Sequence, residues 1–299
     1  MKNRLLYILL YGISRIPLRG LHLLSDVIAF VVYHWIGYRK QVVLSNLAIA
    51  FPEKTPGERI AIAKAFYRNF TDAMLESIKL ISADDKLIDS MFVISPEFVK
   101  VFQGTDKNIQ IHAMHNFNWE IVNLGISKAM PRTFLGVYQP IINPFFEELF
   151  RKIRTRNGTV LIPANDFKNN FLPHQDKSYA LALVADQNPG HPAKAWWLNF
   201  FGKAAPFVMG PEKAARKRDT AVVFGYFYPL KRGVYTFSAE HVTDDLSSMQ
   251  PGDLTKKYIR FVEEKVRERP DNYLWSHRRW KHPFKEEYSD NVLEKLNLS

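Results

Sequence analysis

The chain contains no cysteine. That excludes disulfides, thiolate metal sites and a cysteine nucleophile, and it leaves the compartment open. Several enzyme signatures are missing as well. There is no G-x-S-x-G elbow for a serine nucleophile. No G-x-x-x-x-G-K-[ST] or G-x-G-x-x-G run offers a cradle for nucleotide phosphates. HExxH is absent, and His112, His115 and Glu120 follow no recognised ligand spacing, so no metal and no cofactor is expected. Internal repeats and low-complexity tracts are absent too. Acidic residues are in short supply: 30 Asp and Glu stand against 41 Lys and Arg, a net charge of +11. Such a chain favours anionic partners, whether nucleic acid, anionic lipid or an acidic carrier protein. Nucleic acid is the weakest of the three. "WSHRRWKHPF" interleaves bases and aromatics, but it is one short patch with no binding motif beside it.

What is present begins with apolar sequence. The 299 residues are 46% hydrophobic, enough for one large α/β domain or two small ones. "LLYILLYGI" (5–13) and "LHLLSDVIAFVVYHWIGY" (21–38) flank a basic turn with Arg15, Pro17 and Arg19. As a helix, residues 21–36 would rise roughly 24 Å, short of a hydrocarbon core of about 30 Å. Lys2 and Arg4 precede an apolar stretch as in a signal peptide, but no small-x-small cleavage site follows. Residues 1–38 are therefore expected to form a retained membrane anchor, interfacial or barely spanning, with Trp35, Tyr38, Arg39 and Lys40 at the boundary. The competing reading is an apolar helix packed on the rest of the protein.

Residues 39–299 read as the catalytic domain: a helical lead-in (39–107), an α/β core (108–285) and a charged tail (286–299). Thr55, Pro56 and Glu58 mark a helix start over 56–80. From about residue 108, strands alternate with helices: "NIQIHAM", "WEIVNLGISKA", "RTFLGVY", "NPFFEELFRKIRTRNG", "TVLI", "SYALALVA", "GPEKAARKRD", "TAVVFGYFY", "VYTFSAEHV" and "LTKKYIRFVEEKVRERP". That alternation predicts βαβ units and a mostly parallel sheet flanked by helices. In such sheets, function collects where strands end and helices begin. His115, Asp186 and Gln187 each follow directly on an expected strand.

The spacing His-x4-Glu occurs twice, at His115/Glu120 and at His282/Glu287. The second copy sits in a charged tail behind Pro283 and reads as solvated surface. The first lies at a strand-to-helix turn, where the helix N-terminus offers free N–H groups to an anion. Asn116 or Asn118 can cap that helix. Glu120 is expected to fold back on the His115 imidazole and hold one tautomer, leaving the other nitrogen to take a proton. A satisfied structural histidine is the alternative. His112 has no acid at this spacing and is expected to point into the sheet.

With these residues in hand, the chain resembles a family. "HNFNWE" is similar to the H-x4-[DE] motif of membrane acyltransferases, in the form carried by the lipid A biosynthesis acyltransferases, which add secondary acyl chains late in the pathway. "YRKQVVLSNLAIAFPEKT", "VYQPIINPFFEELFRKIRTRNG", "ADQNPG", "NFFGKAAPFVMGPEKAAR" and "YLWSHRRWK" follow in the family's order, over nearly the whole chain. One departure is "APFVMG", where the family often carries threonines, so chain length and acceptor do not carry over.

The resemblance implies a glycerolipid-acyltransferase-like fold and an inner-membrane enzyme with its catalytic domain on the cytoplasmic face. It implies acyl carrier protein as donor, an anionic lipid as acceptor and no metal. It makes His115 and Glu120 the catalytic pair, and puts Arg154 or Arg156 near the acyl carbonyl. Asp186, Gln187, Arg278 and Arg279 become further substrate-binding positions. The expected function is transfer of a fatty acyl chain from an acyl-thioester to a hydroxyl of a lipid A precursor. The alternatives are acylation of another glycolipid or lysophospholipid, and an inactive membrane-associated lipid-binding protein.

Overall fold

The computed structural model describes residues 2–298. In chain order its helices are α1 (Lys2–Ser14), α2 (Leu18–Val31), α3 (Lys40–Ala50), α4 (Pro56–Lys79), α5 (Asp85–Met91), α6 (Pro96–Gln103), α7 (Trp119–Ala129), α8 (Pro144–Thr155), α9 (Phe167–Phe171), α10 (Gly210–Arg218) and α11 (Asp253–Glu268). The strands are β1 (Phe92–Ile94), β2 (Ile109–Ala113), β3 (Thr133–Tyr138), β4 (Val160–Pro163), β5 (Tyr179–Val184), β6 (Ala195–Phe200), β7 (Lys203–Val208), β8 (Ala221–Lys231) and β9 (Val234–Thr243). Seven strands form one sheet in the order β1-β9-β8-β2-β5-β3-β4. From β8 to β4 all pairings are parallel, β9 runs antiparallel to β8, and β1 runs parallel to β9. The fold is α/β with a mostly parallel sheet, as the alternation of patterns implies.

Both faces of the sheet are covered, which is why its central strands are nearly all apolar. Along β8, Val222, Phe224 and Tyr226 join a core with α3, α4 and α11. Ala221, Val223 and Phe227 join a second core with α5, α6 and α7. The helix α4 starts with the expected cap: Thr55 Oγ1 accepts the Glu58 N–H, and the Glu58 carboxylate accepts the Thr55 N–H at 2.8 Å. At Gly125 of α7, a Cβ would come within 2.1 Å of the Phe92 ring, so only glycine lets the helix lie on the edge strand. Two elements depart from the sequence reading. The stretch 39–107 is not helical throughout, since it supplies the edge strand β1. The hairpin β6–β7, which turns at Phe201 and Gly202 with φ of 51° and 73°, forms a separate two-stranded sheet.

Among the described residues no single helix is long and apolar enough to cross a membrane. Asn3–Ser14 and Leu18–Ile36 meet that test only as a pair bent by 110°. The expected anchor is thus not a straight span. On its inner side this segment is fastened to the domain. Leu21, Ser25 and Ala29 of α2 are buried. Lys79 Nζ donates to the carbonyls of Ser14 and Ile16 at 2.7 and 3.0 Å. Arg232 grips Asp26 and Asp72 together, which pairs the one charge inside the apolar run 21–36. On its outer side Leu23, Val27, Phe30 and Trp35 stay exposed, Trp35 by 76%.

Candidate active site

The register of the sheet builds the site. In the parallel pair β2–β5, Ala113 lies opposite Val184. Each chain continues two residues beyond its pair, and there His115 and Asp186 stand side by side. Asp186 Oδ1 is 2.7 Å from His115 Nδ1, and Asp186 Oδ2 accepts the His115 backbone N–H at 3.2 Å. Asp186 is fully buried, whereas the His115 side chain is 34% exposed. Burial by itself would raise the Asp186 carboxyl, but the adjoining imidazole and its hydrogen bonds hold it below the ordinary carboxylate range. A carboxylate on Nδ1 selects the tautomer with the proton there. The lone pair then sits on Nε2, which makes no hydrogen bond among the described residues. This is the arrangement a general base requires.

Glu120 does not close on that ring, and the expectation that it would is corrected. As the second residue of α7 it turns to α8. Arg154 Nε and Nη2 donate to its two oxygens at distances between 2.8 and 3.2 Å, with both side chains buried. Burial pushes the Glu120 carboxyl upward, and the guanidinium hydrogen bonds pull against it. The Arg154 guanidinium is stacked 4.1 Å from the Trp119 ring centroid, with Phe150 at 5.3 Å. Its Nη1 has no hydrogen-bond partner among the described residues. The site thus contains two separate pairs, His115 with Asp186 and Arg154 with Glu120. The N-terminus of α7 lies between the two in sequence and is capped by Asn118 Oδ1.

Residues that sequence reasoning passed over hold this turn in place. Asn272 Oδ1 accepts the Phe117 N–H at 3.3 Å, its carbonyl takes Asn116 Nδ2 at 3.0 Å, and its own Nδ2 donates to the Phe227 carbonyl at 2.8 Å. Leu274 N–H donates to the His115 carbonyl at 3.2 Å. Beside Asp186, the Asn188 side chain ties to Arg279 Nη1 at 2.8 Å and to the Arg278 carbonyl at 2.6 Å, while its N–H donates to His277 Nε2. Burial pushes His277 down to about 4, so it is neutral and able to accept that bond. Glu76, fully buried, joins the cap from behind: it accepts from Asn118 Nδ2 and Tyr235 Oη and pairs with His22.

The remaining expected residues fall in different places. Gln187 is half-buried next to Asp186. Arg279 is buried, 3.9 Å over the Phe207 ring. Arg278 is exposed and takes part only through its carbonyl. Arg156 faces elsewhere, donating to the Ala83 carbonyl and to Asp85, so it braces α8 against the start of α5 and is not brought to the site. His112 is buried against Phe224 and Tyr258 with Gln110 on its Nε2, and burial lowers it to about 3. Glu287 is exposed and paired with Lys285.

A histidine with a buried carboxylate behind it, at the carboxyl edge of a parallel sheet and beside a helix N-terminus, can act as a general base towards an attacking hydroxyl. The chain belongs to the bacterial lipid A biosynthesis acyltransferase family, whose model matches residues 3–282, and it is an acyltransferase. It is 19% identical over 271 residues to the lipid A biosynthesis palmitoleoyltransferase of Escherichia coli (strain K12), spanning 89% of this chain and 87% of that protein. The same figures hold for the lipid A biosynthesis acyltransferase of Shigella flexneri. Among solved structures, the 1-acyl-sn-glycerophosphate (LPA) acyltransferase of Thermotoga maritima aligns over 83% of this chain and 97% of its own, at 12% identity and a TM-score of 0.38.

Proposed function

We propose that the protein transfers a fatty acyl chain from an acyl-thioester, carried by acyl carrier protein, to a hydroxyl of a lipid A precursor, while seated on the cytoplasmic face of the inner membrane. The observation that carries the reading is the His115–Asp186 pair, with Nε2 of the ring left open. As the acceptor hydroxyl attacks the thioester carbonyl, its proton passes to His115 Nε2. Asp186 stabilises the imidazolium that forms. The tetrahedral oxyanion is met by the positive end of α7 and by Arg154 Nη1, which Glu120 holds in position. Collapse breaks the C–S bond, and the departing thiolate takes the proton back from the imidazolium. The thiol is already a good leaving group, so no covalent enzyme intermediate is needed.

The exposed apolar face of α2 supports membrane attachment, and the charge of +11 suits both an anionic acceptor and an acidic carrier. The test is acyl transfer by the purified enzyme to a lipid A precursor, with acyl carrier protein and coenzyme A thioesters compared. The carrier-protein rate should exceed the coenzyme A rate and fall steeply with ionic strength, because screening shortens to about 8 Å near 0.15 M salt. Equal, salt-insensitive use of both donors would remove the carrier protein from the proposal. Transfer only to a lysophospholipid or other glycolipid would remove the lipid A precursor.

A further inference from the structure

Beyond α2, the chain makes a widened π turn at Val32–Ile36 before entering α3. Between that turn and α4 lies an open cleft of about 350 Å³, lined by Phe30, Tyr33, Lys64 and Arg68 among others. Its charge is one-sided. Lys64 and Arg68 stand four residues apart on the exposed side of α4, a spacing at which like charges repel. Lys40 lies with its Nζ 4.1 Å from the centroid of the Tyr33 ring, and Lys64 approaches the same ring at 5.8 Å. None of these three cations forms an ion pair among the described residues. Asp26, the carboxylate in the cleft wall, is held by both terminal nitrogens of Arg232 at 2.9 and 2.8 Å, and Arg68 adds a weaker attraction to it. Two lysines at the Tyr33 ring, with Arg68 beside them in the cleft wall, favour an anion of more than one oxygen.

We infer that this cleft binds the phosphate of an anionic phospholipid headgroup. The choice of a lipid over a free anion comes from the side chains next to the cations. Phe30 lines the cleft and continues the exposed apolar stripe of Leu23 and Val27 at helical spacing, and Trp35 packs edge-on against Phe30 with the ring centroids 6.1 Å apart. A headgroup seated on Lys64 and Arg68 lets its acyl chains run along that stripe, and the aromatic rings suit the interfacial depth. A free phosphate gains nothing from the stripe. The inference rests on the membrane attachment proposed above and adds to it a specific headgroup site.

The experiment uses the full chain and vesicles of phosphatidylcholine with or without phosphatidylglycerol, read as the fraction of protein that floats with lipid. Wild type should favour the phosphatidylglycerol vesicles. Lys64→Gln/Arg68→Gln, which keeps good helix formers on an exposed face, should lose roughly 30-fold of that binding, at about tenfold or less per basic residue. Lys64→Glu alone should lose at least as much as Lys64→Gln. Removing two exposed charges elsewhere, with Lys213→Gln/Lys217→Gln on α10, should change it little. His115→Ala should bind as wild type does, which separates this site from the acyl-transfer reading. Equal losses in the two double variants would overturn the site. So would release of wild type by inorganic phosphate beyond that of chloride at matched ionic strength, which would mark a small-anion site. If wild type floats with neither vesicle, the membrane attachment falls and the headgroup site falls with it.

Discussion

Asp186 holds His115 twice, by the ring at Nδ1 and by the backbone N–H, 2.7 and 3.2 Å away. The first bond chooses the tautomer and the second fixes the turn that carries the ring. Both come from a residue 71 positions downstream, just past the end of the neighbouring strand β5.

Asp186→Asn keeps the size and can keep a hydrogen bond, but it no longer favours the Nδ1–H tautomer or the imidazolium. Loss of a general base typically costs 10²–10⁴-fold in rate. His115→Ala and Asp186→Asn should each fall in that range for kcat, with KM for the thioester little changed. An Asp186→Asn enzyme at near wild-type rate would mean that the pair is structural.

Glu120 and Arg154 call for a double-mutant cycle. Glu120→Gln leaves a guanidinium buried without its counter-charge, which costs on the order of 3–5 kcal/mol. Glu120→Gln/Arg154→Gln removes both charges and should recover much of that stability in thermal melts. Activity should not return with it, because Arg154 Nη1 is gone. If activity and stability recover together, the pair is only a brace. Glu287→Gln, at an exposed copy of the same spacing, should resemble wild type in both measurements.

Asn272 joins three backbone and side-chain groups of the His115-bearing turn and β8 through its side chain and carbonyl. Asn272→Ala strips partners from the buried Phe117 N–H and Phe227 carbonyl, at about 1–3 kcal/mol for each group. The turn bearing His115 should loosen, with kcat reduced more than binding. A variant that loses stability but keeps the wild-type kcat below its melting range would limit Asn272 to folding.

Two histidines should set an acid limit on stability. Burial lowers His277 from 6.5 to about 4 and His112 from 6.5 to about 3. Both are bases that the fold keeps neutral, so below pH 6.5 the unfolded chain binds the extra protons and stability falls. The loss should begin near pH 6.5 and continue to about 4 for His277 and about 3 for His112. His112→Gln should flatten the melting temperature against pH in this window, even at some cost at neutral pH. An unchanged slope would mean that other groups carry the acid limit.

The fold was readable wherever one local pattern determines one element. Thr55, Pro56 and Glu58 announced α4, and the apolar run ending at His115 announced β2. Asp186 was placed at the same sheet edge as His115, but nothing in a sequence states which two strands are neighbours. The His-x4-Glu spacing therefore stood out while the true partner did not. Glu120 points away because Arg154, on the next helix, offers a bidentate partner that an imidazole cannot match. β1 is three residues long and shows no alternation of its own. The β6–β7 hairpin turns through Phe201, a residue not usual at positive φ, although Gly202 beside it was a usable signal. Asn188 and Asn272 act through hydrogen bonds to residues far away in the sequence, which leave no periodic trace.

The N-terminal segment gives the last prediction, because its two sides do different things. Deleting residues 1–38 would remove His22 from Glu76, Asp26 from Arg232, Ser25 from Thr71 and both carbonyls from Lys79. That deletion should fail to fold, so its location in the cell is no guide to attachment. The outer face is separable. Leu23 and Trp35 are 70% and 76% exposed and Val27 is 61% exposed, so replacing all three with serine touches no core. Surface changes of this kind usually stay within about 0.5 kcal/mol each. The triple variant should therefore melt close to wild type yet move from the membrane fraction towards the soluble one, because it gives up the apolar area that drives interfacial binding. Its turnover on detergent-dispersed substrate should persist, since His115, Asp186 and Arg154 are untouched. If the triple variant melts like wild type and still sediments with membranes in high salt, this face is not what holds the protein there.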